Sequence, residues 1–233
     1  MIAFSRSRLF DNARLNQIAT GLSTLYWGCA PGAFEGDERS GIHLYDNGQG
    51  DRYALAWRGE DAVGLVFAHE SNRSRYRSEG FSEEELCAEE IFTSLIDDAP
   101  WSASLLDVAR DASVALQEIA TAAVAIVDRQ SWMSDVVDVG TVWANGLEML
   151  VPFGLPGEHA LLGERVFQPW SKRYSLDEPL PTLCLRWHER LRAGPFAVLL
   201  DERDILLASG TIERDAVPYA VAALAEVGIT LDV

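Results

Sequence analysis

Three short apolar runs cut by two tight turns constrain the first third of this chain more than any other feature. Between Gly41 and Ser71 it reads GIHLYDNGQGDRYALAWRGEDAVGLVFAHES. Residues 42–45, 52–57 and 62–68 have the length and the aliphatic and aromatic content of strands. Asp46-Asn47-Gly48-Gln49-Gly50-Asp51 contains an Asn-Gly pair, which adopts positive φ at little cost, and Arg58-Gly59-Glu60-Asp61 supplies a second turn. Connections this short join antiparallel neighbours, so the stretch predicts a three-stranded meander.

Helical periodicity flanks it. Leu9, Ala13, Ile18, Leu22 and Leu25 form a stripe, with Arg6, Arg8 and Arg14 on the polar side, and predict a helix over residues 5–24. The stretch from Pro31 to Gly41 reads as a loop. The best specified helix is 82–99: Ser82 and Glu85 make a capping box, Phe81 and Leu86 a hydrophobic staple, and Pro100 is expected to stop it. Leu105, Ala109, Ala112, Leu116, Ile119, Ala123 and Ile126 recur at helical spacing, although Ala120 to Val127 is apolar enough to be a buried strand instead. Prolines cut the region beyond into short pieces, with helices expected at 141–150, 158–167 and 182–192. At the end, 196–200 and 205–208 read as a hairpin, Asp215 as the cap of a helix with Pro218 in its first turn, Gly228 as its stop and Ile229 to Leu231 as a last strand. The sum is an α+β fold: an N-terminal helix and antiparallel β-meander, a helical middle and a C-terminal β-β-α-β. A chain of 233 residues with no evident linker is expected to form one domain, subdivided near residue 100 if anywhere.

Composition narrows the function classes. Nineteen Lys and Arg face 36 Asp and Glu, for a net charge of -17. Such a surface repels nucleic-acid phosphates and attracts basic proteins, metal ions or cationic ligands. Cys29, Cys87 and Cys184 are odd in number, far apart and without a CxxC pair, which disfavours a disulfide framework or a zinc ribbon and fits a reducing compartment. The first residues lack the apolar core of a signal peptide, and the apolar run at 119–127 is too short to cross a bilayer. A soluble cytoplasmic protein without membrane or nucleic-acid contacts is expected, and no cofactor motif is present.

Four constellations bear on chemistry. In Asp46 to Asp51, Gly48 and Gly50 stand where a calcium loop needs oxygen donors, and a P-loop lysine is missing, so a hairpin turn is preferred over a metal or phosphate site. His69-Glu70-Ser71 invites a catalytic reading, but no GxSxG is present and Arg73 stands where HExxH needs its second histidine. In an extended strand His69 and Ser71 would share one side and Glu70 would face away. Arg73, Arg75 and Arg77 would point one way from an extended chain, and pairing with Glu79, Glu83 or Glu84 is preferred over an anionic ligand. From Glu79 to Ala109 there is no basic residue, and Glu83, Glu84, Glu89 and Glu90 offer a face for a basic partner.

Tyr45-Asp46-Asn47-Gly48-Gln49-Gly50-Asp51, followed by Trp57 and by Gly64 to Ser71, is similar to a pattern in uncharacterised bacterial proteins with a DNG-x-GD turn and a G-F-x-HES strand end. The resemblance covers residues 25–75 and implies no reaction, cofactor or site role. By analogy, acidic proteins of this kind include immunity proteins for secreted toxins. The leading expectation is therefore a non-enzymatic protein-binding protein with an acidic face. The alternative is a small-ligand-binding or hydrolytic module built on Asp46, Asp51, His69, Glu70, Arg73 and Arg75.

Overall fold

The strands β1 (Ala33–Gly36), β2 (Ser40–Asp46), β3 (Arg52–Arg58), β4 (Asp61–Phe67), β5 (Ala122–Val127) and β6 (Gln130–Met133) form a six-stranded sheet in chain order. The computed structural model describes residues 4–27, 32–46, 50–73, 89–135, 145–150, 179–200 and 212–233. By contact the chain divides into two units, residues 1–10 with 35–151 and residues 11–34 with 152–233, so position 100 lies inside the first. The fold is α+β, with the predicted helix at the N-terminus, α1 (Arg6–Trp27), and the predicted meander as β2 to β4. From β2 to β6 every strand pairs antiparallel with the next.

In the first unit, Ala54 and Ala56 of β3, Val63, Leu65 and Phe67 of β4, and Ala123 and Ala125 of β5 share one buried cluster. Two helices, α2 (Glu89–Leu95) and α3 (Ala103–Leu116), supply its other side through Phe92, Leu105, Val108 and Leu116. Full burial of side chains of this kind contributes about 1.5–3 kcal/mol each. Ser102 caps α3, its Oγ accepting from the Leu105 amide at 3.2 Å. Gln117 ends it at φ +56°, after which the apolar run becomes β5, the strand alternative of the two open in the sequence.

The acidic helix differs from expectation at its end. It stops at Leu95, well before Pro100, because the chain turns through Ile96 to Ala99 and the Ile96 carbonyl accepts from the Trp101 indole at 2.9 Å. Its predicted start, residues 82–88, lies outside the described residues. Two strands were not expected. β1 occupies part of the predicted loop. β6 returns from β5 through Asp128 and Arg129, at φ +48° and +65°, a two-residue hairpin turn made without Gly or Asn.

Tyr53, Leu55 and Trp57 on the opposite face of β3 are also buried. Phe10 meets Trp57 edge-on at 5.3 Å between ring centroids. Leu147 and Leu150 lie buried in a 3-10 turn at Leu147–Leu150, and Leu150 reaches Gly64 of β4, where a Cβ would fall 2.6 Å from its Cδ1. Of the expected helix at 141–150, residues 145–150 form a turn and this 3-10 turn, and 141–144 lie outside the described residues.

The second unit joins α1 from Asp11 onward to α4 (Pro179–Arg192), β7 (Phe196–Leu199), α5 (Val217–Ala225) and β8 (Ile229–Asp232). β7 and β8 run parallel, Phe196 opposite Ile229. Predicted elements at 158–167 and 205–208 lie outside the described residues. Asp215 does not cap α5: it lies within a 3-10 turn, and the cap position, Ala216, makes no side-chain bond. Asp11 ties α1 to α4 through Arg192 at 2.9 Å and His188 at 3.3 Å. Burial pushes the Asp11 carboxyl up, but these two partners outweigh it and hold the group below its ordinary value. Gln17 ties α1 to α5, donating to Ala223 O at 3.1 Å and Glu226 Oε2 at 2.7 Å. Cys184 is buried in α4, its thiol pushed up to about 12 by desolvation, and is therefore unreactive.

Candidate functional site

Antiparallel pairing brings the end of β2, the start of β3, the end of β4, the start of β5 and the end of β6 to one end of the sheet. Asp46, Asp51, His69, Glu70, Ser71 and Arg73, all singled out in the sequence, lie at or beside that end. β4 ends at Phe67, and residues 68–73 turn instead of continuing as a strand. Glu70 therefore does not face away from His69. Its Oε1 lies 3.2 Å from His69 Nε2, while Asp51 Oδ1 accepts the His69 amide at 2.9 Å and lies 3.9 Å from Nδ1. His69 thus has one carboxylate at each ring nitrogen, and the imidazole is about half exposed. The Glu70 oxygen is within hydrogen-bond reach of its ring nitrogen, whereas the Asp51 oxygen, at 3.9 Å, is not.

Asp46 does not join this group. Its Oδ2 accepts from Arg52 Nε at 2.7 Å, across the hairpin, and Arg52 Nη1 also lies 3.9 Å from Glu118. Arg73 was expected from sequence to pair with Glu79, Glu83 or Glu84, which lie outside the described residues. It donates to Asp135 Oδ2 at 2.8 Å and to the Thr121 carbonyl at 3.2 Å. Arg75, Arg77, Glu79, Glu83 and Glu84 lie outside the described residues, as do the side chains of Glu89 and Glu90 at the start of α2.

Ser71 is buried and engaged. Its Oγ donates to Asn145 Oδ1 at 2.5 Å and accepts from the Arg73 amide at 3.1 Å. Asn145 Nδ2 donates in turn to Asp135 Oδ1 at 3.2 Å, and Ser134 Oγ donates to Asp135 Oδ2 at 3.0 Å. Thr121 Oγ1 accepts from the Ala68 amide at 2.9 Å, with the Asn145 carbonyl 2.9 Å away to receive its proton. Among the described residues, neither the Ser71 nor the Thr121 hydroxyl has a base bonded to it that would make it a nucleophile. Asp135, Asn145, Thr121 and Ser134 escaped the sequence reading. The Asn145-Gly146 pair was a turn signal in plain view, and both residues take positive φ, +54° and +93°.

Deeper in the sheet, His43 is fully buried with its Nδ1 3.0 Å from the Tyr53 hydroxyl, and Tyr45 stacks on Tyr53 at 5.4 Å. Desolvation pushes the His43 pKa down to about 3, so the ring is neutral and structural at ordinary pH. Among the described residues, no group of three or more His, Cys, Asp or Glu side chains is placed to hold a metal ion. No described helix is long and apolar enough to cross a membrane. No family model matches the sequence, and neither a curated protein nor a solved structure matches it.

Proposed function

We propose that the protein is a non-enzymatic binding protein that presents a carboxylate-rich face to a basic protein partner, in the manner of an immunity protein against a cationic toxin. The observation that carries the reading is the way its arginines are used. Arg52 sits against Asp46, Arg58 against Asp111, Arg73 against Asp135, Arg110 against Asp107, Arg129 against Glu60 and Arg192 against Asp11, each within 4.0 Å. With 36 acids to 19 bases, pairing of this kind neutralises the cations and leaves carboxylates over. Asp97 and Asp98 are exposed in the turn after α2, with no basic partner among the described residues. A helix C-terminus disfavours negative charge, so local stability does not account for them. Attraction from such a face acts mainly on encounter rate and partner choice.

The test is association with immobilised folded basic proteins and a polyarginine peptide, measured in low and high salt. Reversal of Glu83, Glu84, Glu89, Glu90, Asp97 and Asp98 to lysine is expected to lower the association rate about tenfold or more while circular dichroism is unchanged. Unchanged binding, or no binding by the wild type, overturns the reading. A second reading, a small-ligand site at Asp51, His69 and Glu70, is favoured by the meeting of those three groups. It predicts the reverse pattern, with binding lost in His69→Ala and Glu70→Ala and kept in the lysine variant.

A further inference from the structure

We infer that Asp135 is the clasp of a conformational device, joining the turn at 68–73 and the segment at 145–150 into one unit that opens and closes together. The 145–150 segment is held in two ways. Leu147 and Leu150 are fully buried, Leu150 in the notch left by Gly64. At its other end the backbone of Gly146 comes so close to β4 that a Cβ would fall 2.6 Å from Val66 Cγ1 and 2.9 Å from Ala68 Cβ. That approach brings Asn145 to the sheet end, where its two polar atoms bridge Ser71 and Asp135.

The Asp135 carboxylate is the shared point. One oxygen accepts from Asn145 and so holds the segment. The other accepts from Arg73 and Ser134 and so holds the turn and the end of β6. Arg73 closes the ring, since its amide donates to the same Ser71 hydroxyl that donates to Asn145. Among the described residues, the side-chain hydrogen bonds that join turn to segment run through Asp135, Ser71 or Thr121. A ring of partly exposed polar groups in which each member satisfies the next loses more than one bond when one member goes. The turn and the segment are therefore expected to release together, below the free energy of global unfolding. Since His69 and Glu70 lie in that turn, Asp135 is a positioning residue for them without touching either.

Residue-resolved hydrogen exchange of the full chain tests this. The reporters are the amides of Ala68, His69, Ser71 and Arg73 on one side and of Met149 on the other, all of which have acceptors. Asp135→Ala is expected to speed exchange on both sides by a common factor of about ten or more, with the amides of β3 unchanged. Asp111→Ala, which breaks an exposed pair with Arg58 elsewhere, is expected to leave both sides at the wild-type rate. Ser71→Ala keeps the Asp135 pair and is expected to loosen both sides by a smaller common factor, so it carries the test if Asp135→Ala does not fold. Acceleration of one side alone in either variant, or acceleration only together with β3, overturns the inference.

Discussion

His43 shows how one residue sets a pH dependence. In the unfolded chain a histidine titrates near its ordinary value of about 6.5; in the folded protein burial holds it at about 3. The unfolded state therefore binds the proton first as pH falls. The stability that depends on a neutral His43 is complete above the unfolded value and is lost progressively between there and the folded one. The linkage slope approaches about 1.4 kcal/mol per pH unit, so about 2 kcal/mol is expected to go between pH 7 and pH 5. Urea midpoints across that range check it, and the loss is expected to shrink in His43→Gln. None of this was readable from the sequence, where Ile42-His43-Leu44 could face either way and only the register opposite Leu55 puts the ring inside. The reading of His69, Glu70 and Ser71 failed for a related reason. Alternation predicts side only while a strand lasts, and β4 ends two residues before His69.

At the scale of elements, what was legible followed from chemistry local to the chain. The meander, α1, α3 and the strand after Gly228 announce themselves through turn residues and periodicity. The elements that were misjudged depend on partners distant in sequence or on unusual turns. β6 hangs on Asp128 and Arg129, which take positive φ in a turn with neither Gly nor Asn, and the early end of α2 depends on an indole from Trp101. Ser102 and Asp215, both of residue types favoured at helix caps, separate cleanly. Ser102→Ala removes a bond to the Leu105 amide and is expected to cost about 1 kcal/mol by urea denaturation. Asp215→Ala removes no cap bond and is expected to stay within about 0.5 kcal/mol of wild type.

For the whole molecule the dominant electrostatic fact is the excess of 36 acidic over 19 basic residues, legible from composition alone. Two effects of salt oppose each other. Screening weakens the exposed arginine–carboxylate pairs, each worth about 0–1 kcal/mol, and also relieves repulsion among the remaining carboxylates. With a net charge of -17 the repulsion is the larger sum, so the urea midpoint is expected to rise as sodium chloride is added from low ionic strength. A fall would mean that the pairs outweigh the field. The candidate site was only half legible at this scale. Asp51, His69 and Glu70 stand in one meander of the sequence, but Asp135 and Asn145 come to the neighbouring Ser71 and Arg73 only with the pairing of β4 and β5.

That pairing has a kinetic consequence. β2 to β4 form from neighbouring residues, and β5 and β6 share a two-residue turn, so both pieces can assemble locally. The seam between them joins Ala62 to Ile126 and Val66 to Ala122, with α2 and α3 in the intervening chain. Closing it costs loop entropy before any seam hydrogen bond is gained, which makes it the slow step in building the sheet. The polar ring at the sheet end lies across that same seam, and so it is completed only after the meander and the β5–β6 hairpin have met.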